Sequence, residues 1–97
     1  MGYREEVRKL FEHQKFEVEK GDSCDLLAEK GEEKLAIFIE KGKGTHELEE
    51  RVKEIGKKEI EGKKLVFTDL EPSEEEKKEM DDLAEDEGVE VSYFTRE

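Results

Sequence analysis

The stretch Cys24–Lys43, CDLLAEKGEEKLAIFIEKGK, decides the fold. It holds two short apolar runs, CDLLAE and KLAIFIEK, joined by Lys30-Gly31-Glu32-Glu33. The glycine supplies the positive φ that a tight reversal needs, so the stretch reads as an antiparallel hairpin. With the turn centred on Gly31 and Glu32, Leu27 lies opposite Ala36 and Asp25 opposite Phe38, and both pairs share a face with Glu40. Cys24, Leu26, Ala28, Leu35, Ile37 and Ile39 then line the other face, which must be buried. Asp25 is the residue to question, because an acid in an apolar strand is costly to bury and needs a partner or a task.

Upstream of the hairpin, Tyr3, Val7, Leu10 and Phe11 fall at i, i+4, i+7 and i+8 and predict an amphipathic helix over Gly2 to His13. Lys15 to Lys20 then alternates, with Phe16 and Val18 to one side, as a half-buried strand does, and Gly21-Asp22 turns into the hairpin. Downstream, Gly42 and Gly44 break the strand. Thr45 is placed to cap a second helix, with Glu47, Glu49 and Glu50 near the positive end of its dipole. Leu48, Val52 and Ile55 form that helix's stripe, and it stops at Gly56 or runs to Ile60 with Gly62 as its stop. Lys63 to Thr68, KKLVFT, is an uninterrupted apolar run between turn signals, the pattern of a strand buried on both faces. Pro72 and Ser73 open a third helix, where Ser73 and Glu76 make an S-x-x-E capping box, Met80, Leu83 and Ala84 face inward, and Gly88 is the stop. A last strand alternates Val89, Val91 and Tyr93. The order α-β-β-β-α-β-α-β predicts an α/β fold, a mixed β-sheet flanked by helices, in which a meander leads into two right-handed crossovers.

Ninety-seven residues suffice for a single domain, 1–97, with one core. Charged residues at 49% against 32% hydrophobic approach the disordered regime, but the apolar residues are grouped into periodic runs and the chain is expected to fold. Glu and Lys dominate, Asn is absent and Gln14 is the only glutamine, a bias that suits a hot environment or a designed sequence. The single cysteine excludes an internal disulfide and fits a reducing cytoplasm. No apolar run approaches the ~20 residues that cross a bilayer and the N-terminus shows no signal peptide, so a soluble cytoplasmic protein without a membrane partner is expected. A net charge of −12 opposes strong non-specific binding to nucleic acid. The charge is uneven: Ser73 to Glu87 holds nine acids and two lysines, whereas Lys41 to Lys64 holds eight basic and six acidic residues.

An αβββαβ core with an acid in its second strand resembles the PD-(D/E)XK nuclease superfamily, as in archaeal Holliday-junction resolvases and Mrr-type restriction endonucleases. In that family the second strand carries an Asp, and the third carries Glu or Gln, one further residue, then Lys. Gly21 to Lys30, GDSCDLLAEK, is similar to the family's glycine and serine segment followed by Asp and a short strand, and Leu35-Ala36-Ile37 is similar to the start of its third strand. The tail LVFTDLEPSEEEKKEMDDLAEDEGVEVSYF is similar to the Mrr-type succession of buried strand, Thr-containing turn, helix and closing strand. The resemblance implies a restriction-endonuclease-like fold. It also places the family's Glu or Gln position at Phe38 and its Lys position at Glu40.

In active members two carboxylates hold Mg²⁺, which acidifies a bound water and stabilises developing charge while the Lys orients the nucleophile. Phe38 cannot bind a hard cation, and Asp25 alone would hold Mg²⁺ weakly. The expectation is therefore a non-catalytic nuclease-fold domain, a binding or accessory module in nucleic-acid processing that needs no cofactor. It would pair with a protein, an active nuclease subunit or a second copy, through the hairpin edge or the acidic third helix. The alternative is a divergent Mg²⁺-dependent endonuclease or resolvase with a relocated site: Asp25 and Glu40 as metal ligands, Lys41 or Lys43 in place of the missing Lys, and Glu5 or Glu6 adding a ligand. A further alternative is a stability-selected or designed scaffold without a biochemical role. Other constellations are weaker. Cys24 with His13 or His46 suggests neither a thiol nucleophile nor a zinc site at these spacings. Gly42-Lys43-Gly44-Thr45 is too short for a phosphate loop, though a single anion could rest on the helix N-terminus that follows it.

Overall fold

A computed structural model of the chain describes residues 2–94. The elements are α1 (Tyr3–His13), β1 (Glu17–Lys20), β2 (Leu26–Lys30), β3 (Glu33–Glu40), α2 (Thr45–Gly56), β4 (Lys63–Thr68), α3 (Glu74–Glu87) and β5 (Val89–Tyr93). The class is α/β, with a five-stranded mixed sheet in the order β1-β2-β3-β4-β5 and helices on both faces. β1, β2 and β3 form an antiparallel meander, and β4 and β5 each join parallel to the strand before. Parallel neighbours need a crossover, which α2 and α3 supply. Two crossovers of one hand that advance the same way along a sheet put their helices on one face.

The hairpin register matches the sequence pattern: Leu26 pairs with Ile37, Leu27 with Ala36 and Ala28 with Leu35. Gly31 turns the corner at φ 62°. Alternation then sorts the side chains. Leu26, Ala28, Leu35, Ile37 and Phe67 meet Tyr3, Val7 and Phe11 of α1 on one face. Ala36, Phe38, Val66 and Val89 meet Leu48, Val52 and Ile55 of α2 and Met80 and Ala84 of α3 on the other. The central strands β3 and β4 are covered on both sides, which is why their sequences are nearly continuous apolar runs. α2 stops at Gly56. The capping box of Ser73 and Glu76 is formed, and Gly88 ends α3 in the left-handed conformation.

Four expectations are corrected. Leu10 is 36% exposed: among the described residues α1 is the only helix on its face, and it turns Tyr3, Val7 and Phe11, not Leu10, to the sheet. The first strand begins at Glu17, since Lys15 is left-handed at φ 73° and cannot sit in a strand. Cys24 packs on the α2 side and not with Leu26 and Ala28: residues 22–25 bend ahead of β2, and the two-residue alternation does not extend back through a bend. Thr45 is the first helical residue with Gly44 as cap, so its hydroxyl is free to donate to Glu76 Oε2 at 2.9 Å. The hairpin moreover has no open edge, for β1 covers β2 and β4 covers β3.

Candidate functional site

Asp25 lies one residue before β2, where the chain leaves the bend and enters the sheet. Its backbone N–H donates to the Ile37 carbonyl at 3.0 Å. Beyond that point β2 offers no acceptor for the next inward N–H of β3, and the Asp25 side chain takes over: Oδ2 accepts the Ile39 N–H at 2.7 Å. Oδ1 accepts Arg4 Nη2 from α1 at 3.0 Å. Asp25 is thus both a side-chain extension of the ladder and half of an ion pair. The pair itself is partly solvated and contributes little, about 0 to 1 kcal/mol.

Glu40 closes β3 and is 6% exposed. A carboxylate so deeply placed needs a counter-charge. Arg51 of α2 provides it, donating Nε to Glu40 Oε1, and its Nη1 donates to Glu54 Oε2 at 2.7 Å. The bond from Glu40 is the main reason that the Arg51 pKa is held above its ordinary value, with Glu54 adding to it and burial opposing. Phe38 stands on the same face two residues earlier, is 2% exposed and belongs to the core shared with α2 and α3.

Asp25, Phe38 and Arg51 line one shallow cleft of about 230 Å³, together with Asp22, Cys24 and Lys58. Asp25 and Phe38 thus line one opening, but the expected shared face of Asp25, Phe38 and Glu40 is corrected. The ladder begins at Leu26 opposite Ile37, and Asp25 lies in the bend before it. Its carboxylate turns to the Ile39 N–H and to Arg4 of α1, whereas Phe38 packs with α2 and α3. The fold does not bring the proposed lysines there. Lys41 is exposed in the turn after β3, and among the described residues neither Lys41 nor Lys43 bonds Asp25 or Glu40. Gly42 N–H in that turn donates to Asp69 Oδ1 at 2.9 Å, which holds the turn against the end of β4. Glu5 and Glu6 are in the first turn of α1, but the side chain this helix gives to Asp25 is Arg4.

Mg²⁺ asks for six oxygen ligands in near-octahedral order. Two carboxylates already bonded by guanidinium groups, with a phenyl ring buried nearby, do not make such a set. Among the described residues no three His, Cys, Asp or Glu side chains are grouped as a metal ion would need. Cys24 is no better placed for nucleophilic work. Its thiol donates to the Leu26 carbonyl at 3.2 Å, and burial pushes its pKa up, away from the reactive thiolate. The N-terminus of α2, the other candidate for an anion, already has the Glu76 carboxylate at Thr45 and Glu47 in its first turn, and these charges repel one.

Arg4 and Arg51 are the residues that sequence reasoning missed. A signal was available: the chain has four arginines against fourteen lysines. Where Lys is the default cation, an Arg marks a site at which a planar, multiply bonded donor is wanted. Comparison with protein-family profiles, with curated proteins and with solved structures finds no match to this chain.

Proposed function

We propose that this chain is a non-catalytic, restriction-endonuclease-like domain acting as a binding or accessory module in nucleic-acid processing, in which two ion pairs stand where a metal site would be. The observation that carries this reading is the pairing of both candidate ligands with arginine, Asp25 with Arg4 and Glu40 with Arg51, while Phe38 fills the position of the second metal-binding side chain. Strand order and an acid just ahead of β2, whose backbone N–H bonds β3, supply the remaining support. The test is a cleavage assay on duplex and branched DNA with Mg²⁺ and with Mn²⁺. No cleavage above background is expected. Divalent-dependent cleavage that disappears in Asp25→Ala would overturn the reading.

One observation favours the alternative, a divergent metal-dependent endonuclease using Asp25, Glu40 and Lys41: the cleft also presents Arg51 and Lys58, cations suited to a phosphodiester. That reading requires both arginines to release their carboxylates. Calorimetric titration with Mn²⁺ separates the two, since the non-catalytic reading expects no saturable heat and the divergent enzyme requires it.

A further inference from the structure

The two edges of the sheet are unequally protected. β1, Glu17–Lys20, is four residues long and three of them are charged, a pattern that discourages a further strand. β5, Val89–Tyr93, carries only Glu90 as a charge and forms the other edge. Its backbone directions follow from one bond. Phe94 N–H donates to the Thr68 carbonyl of β4 at 2.9 Å. In a parallel ladder a residue's N–H and C=O point the same way and alternate along the strand, so Glu90 and Ser92 also turn theirs to β4. The N–H and C=O groups of Val91 and Tyr93 turn to the open side.

Beside this edge runs a groove of about 460 Å³ between α3 and β5, lined by Asp81, Ala84 and Glu85 from the helix and by Val89, Glu90 and Val91 from the strand. Asp81, Glu85 and Glu90 are exposed, and among the described residues none is in a salt bridge. Among the described residues the groove therefore couples an unpaired strand edge with a helix of nine acids and two lysines, of which Lys77 stands over the Tyr93 ring at the far end of the strand while Asp81 and Glu85 face the groove.

We propose that β5 takes an extended, basic polypeptide segment as a sixth strand, with Lys or Arg at alternate positions facing Asp81 and Glu85. Main-chain bonds to Val91 and Tyr93 give such a segment its register, and the carboxylates select its charge. Charge argues against a second copy as occupant. An antiparallel twofold joint between two β5 strands sets both α3 helices side by side on one face, and like charges at that spacing repel. This inference rests on the binding-module reading and names the chemistry of the partner.

The probe is a labelled ten-residue peptide alternating Lys and Val, with a Glu and Val peptide of the same length as control, followed by fluorescence anisotropy and by amide shifts. The basic peptide is expected to bind and the acidic one not, with amide shifts concentrated at Val91 and Tyr93. Asp81→Lys with Glu85→Lys should weaken binding about tenfold or more, as should raising salt to about 0.5 M. Val91→Pro removes an N–H that β4 does not use, so it should keep the fold and abolish binding. If Val91→Pro unfolds the chain, Val91→N-methyl-valine by chemical synthesis makes the same deletion without the ring. Failure of the basic peptide to bind, binding indifferent to both the charge reversals and the Val91 change, or self-association through β5 would overturn the proposal. The DNA cleavage assay is read separately: absence of cleavage together with absence of peptide binding removes this inference and leaves the non-catalytic reading standing.

Discussion

At the scale of single residues, the cleft is governed by what happens to two carboxylates. Glu40 is buried and depends on Arg51, whereas Arg51 is one-third exposed and can be solvated without Glu40. Arg51→Met is therefore expected to destabilise by about 3 kcal/mol, the lower end for breaking a buried pair, because Glu40 is left without its counter-charge. The double replacement Glu40→Met with Arg51→Met should recover most of that loss, and urea denaturation of both variants together with the single Glu40→Met closes the double-mutant cycle. Asp25 behaves differently, since its main bond is to a backbone N–H. Asp25→Asn keeps an acceptor for Ile39 and should be nearly neutral, whereas Asp25→Ala should cost about 1 to 2 kcal/mol in the same assay. A metal ligand would show no such ordering in a metal-loaded sample, with Asn and Ala equally damaging.

At the scale of elements, turns and caps carry the specificity. Gly62 sits at φ 97°, and a Cβ there would lie 2.4 Å from the Lys34 carbonyl oxygen of β3, a backbone atom that cannot swing aside. Gly62→Ala should cost about 1 to 3 kcal/mol and disturb the start of β4, visible as lost amide protection in that strand. At α3 the capping box and the Thr45 hydroxyl hold the Glu76 pKa below its ordinary value, the Ser73 backbone bond first among the causes. A depressed carboxyl pKa gives stability above its unfolded value that is lost as pH falls through the folded one. The start of α3 should accordingly fray in acid, and Glu76→Gln should flatten that part of the pH dependence. Ser73→Ala should cost about 1 kcal/mol at neutral pH.

At the scale of the molecule, the two tyrosines report alkaline unfolding. The pKa values of Tyr3 and Tyr93 are both pushed up to about 12, by burial first, with Asp69 adding to the effect at Tyr3 and Asp81 at Tyr93. A raised phenol pKa means the folded state keeps a proton that the unfolded state loses. Stability is fully present below pH about 10 and falls as pH rises toward 12. Tyr3→Phe should shift the alkaline transition by removing one such proton, and phenolate absorbance follows it directly in a chain without tryptophan. With a net charge of −12, moderate salt is expected to raise the melting temperature, because screening self-repulsion outweighs weakening a few surface ion pairs.

The amino-acid order by itself settled the elements, because hydrophobic period and turn chemistry are local. Two apolar runs about Gly31, the uninterrupted LVF of β4 and the box from Ser73 to Glu76 left little freedom for strand, crossover or cap. It also settled the hairpin register, since a slip of one residue would have exposed Ile37 and Leu35. Ion-pair partners were beyond its reach. Arg4 meets Asp25 across 21 positions and Arg51 meets Glu40 across 11, distances closed by packing α1 and α2 on opposite faces of one sheet. The face taken by Cys24, the exposure of Leu10 and the open side of β5 were decided in the same way, by which neighbour tertiary packing supplied. Periodicity states that a face must be covered, and only the assembled layers state by what.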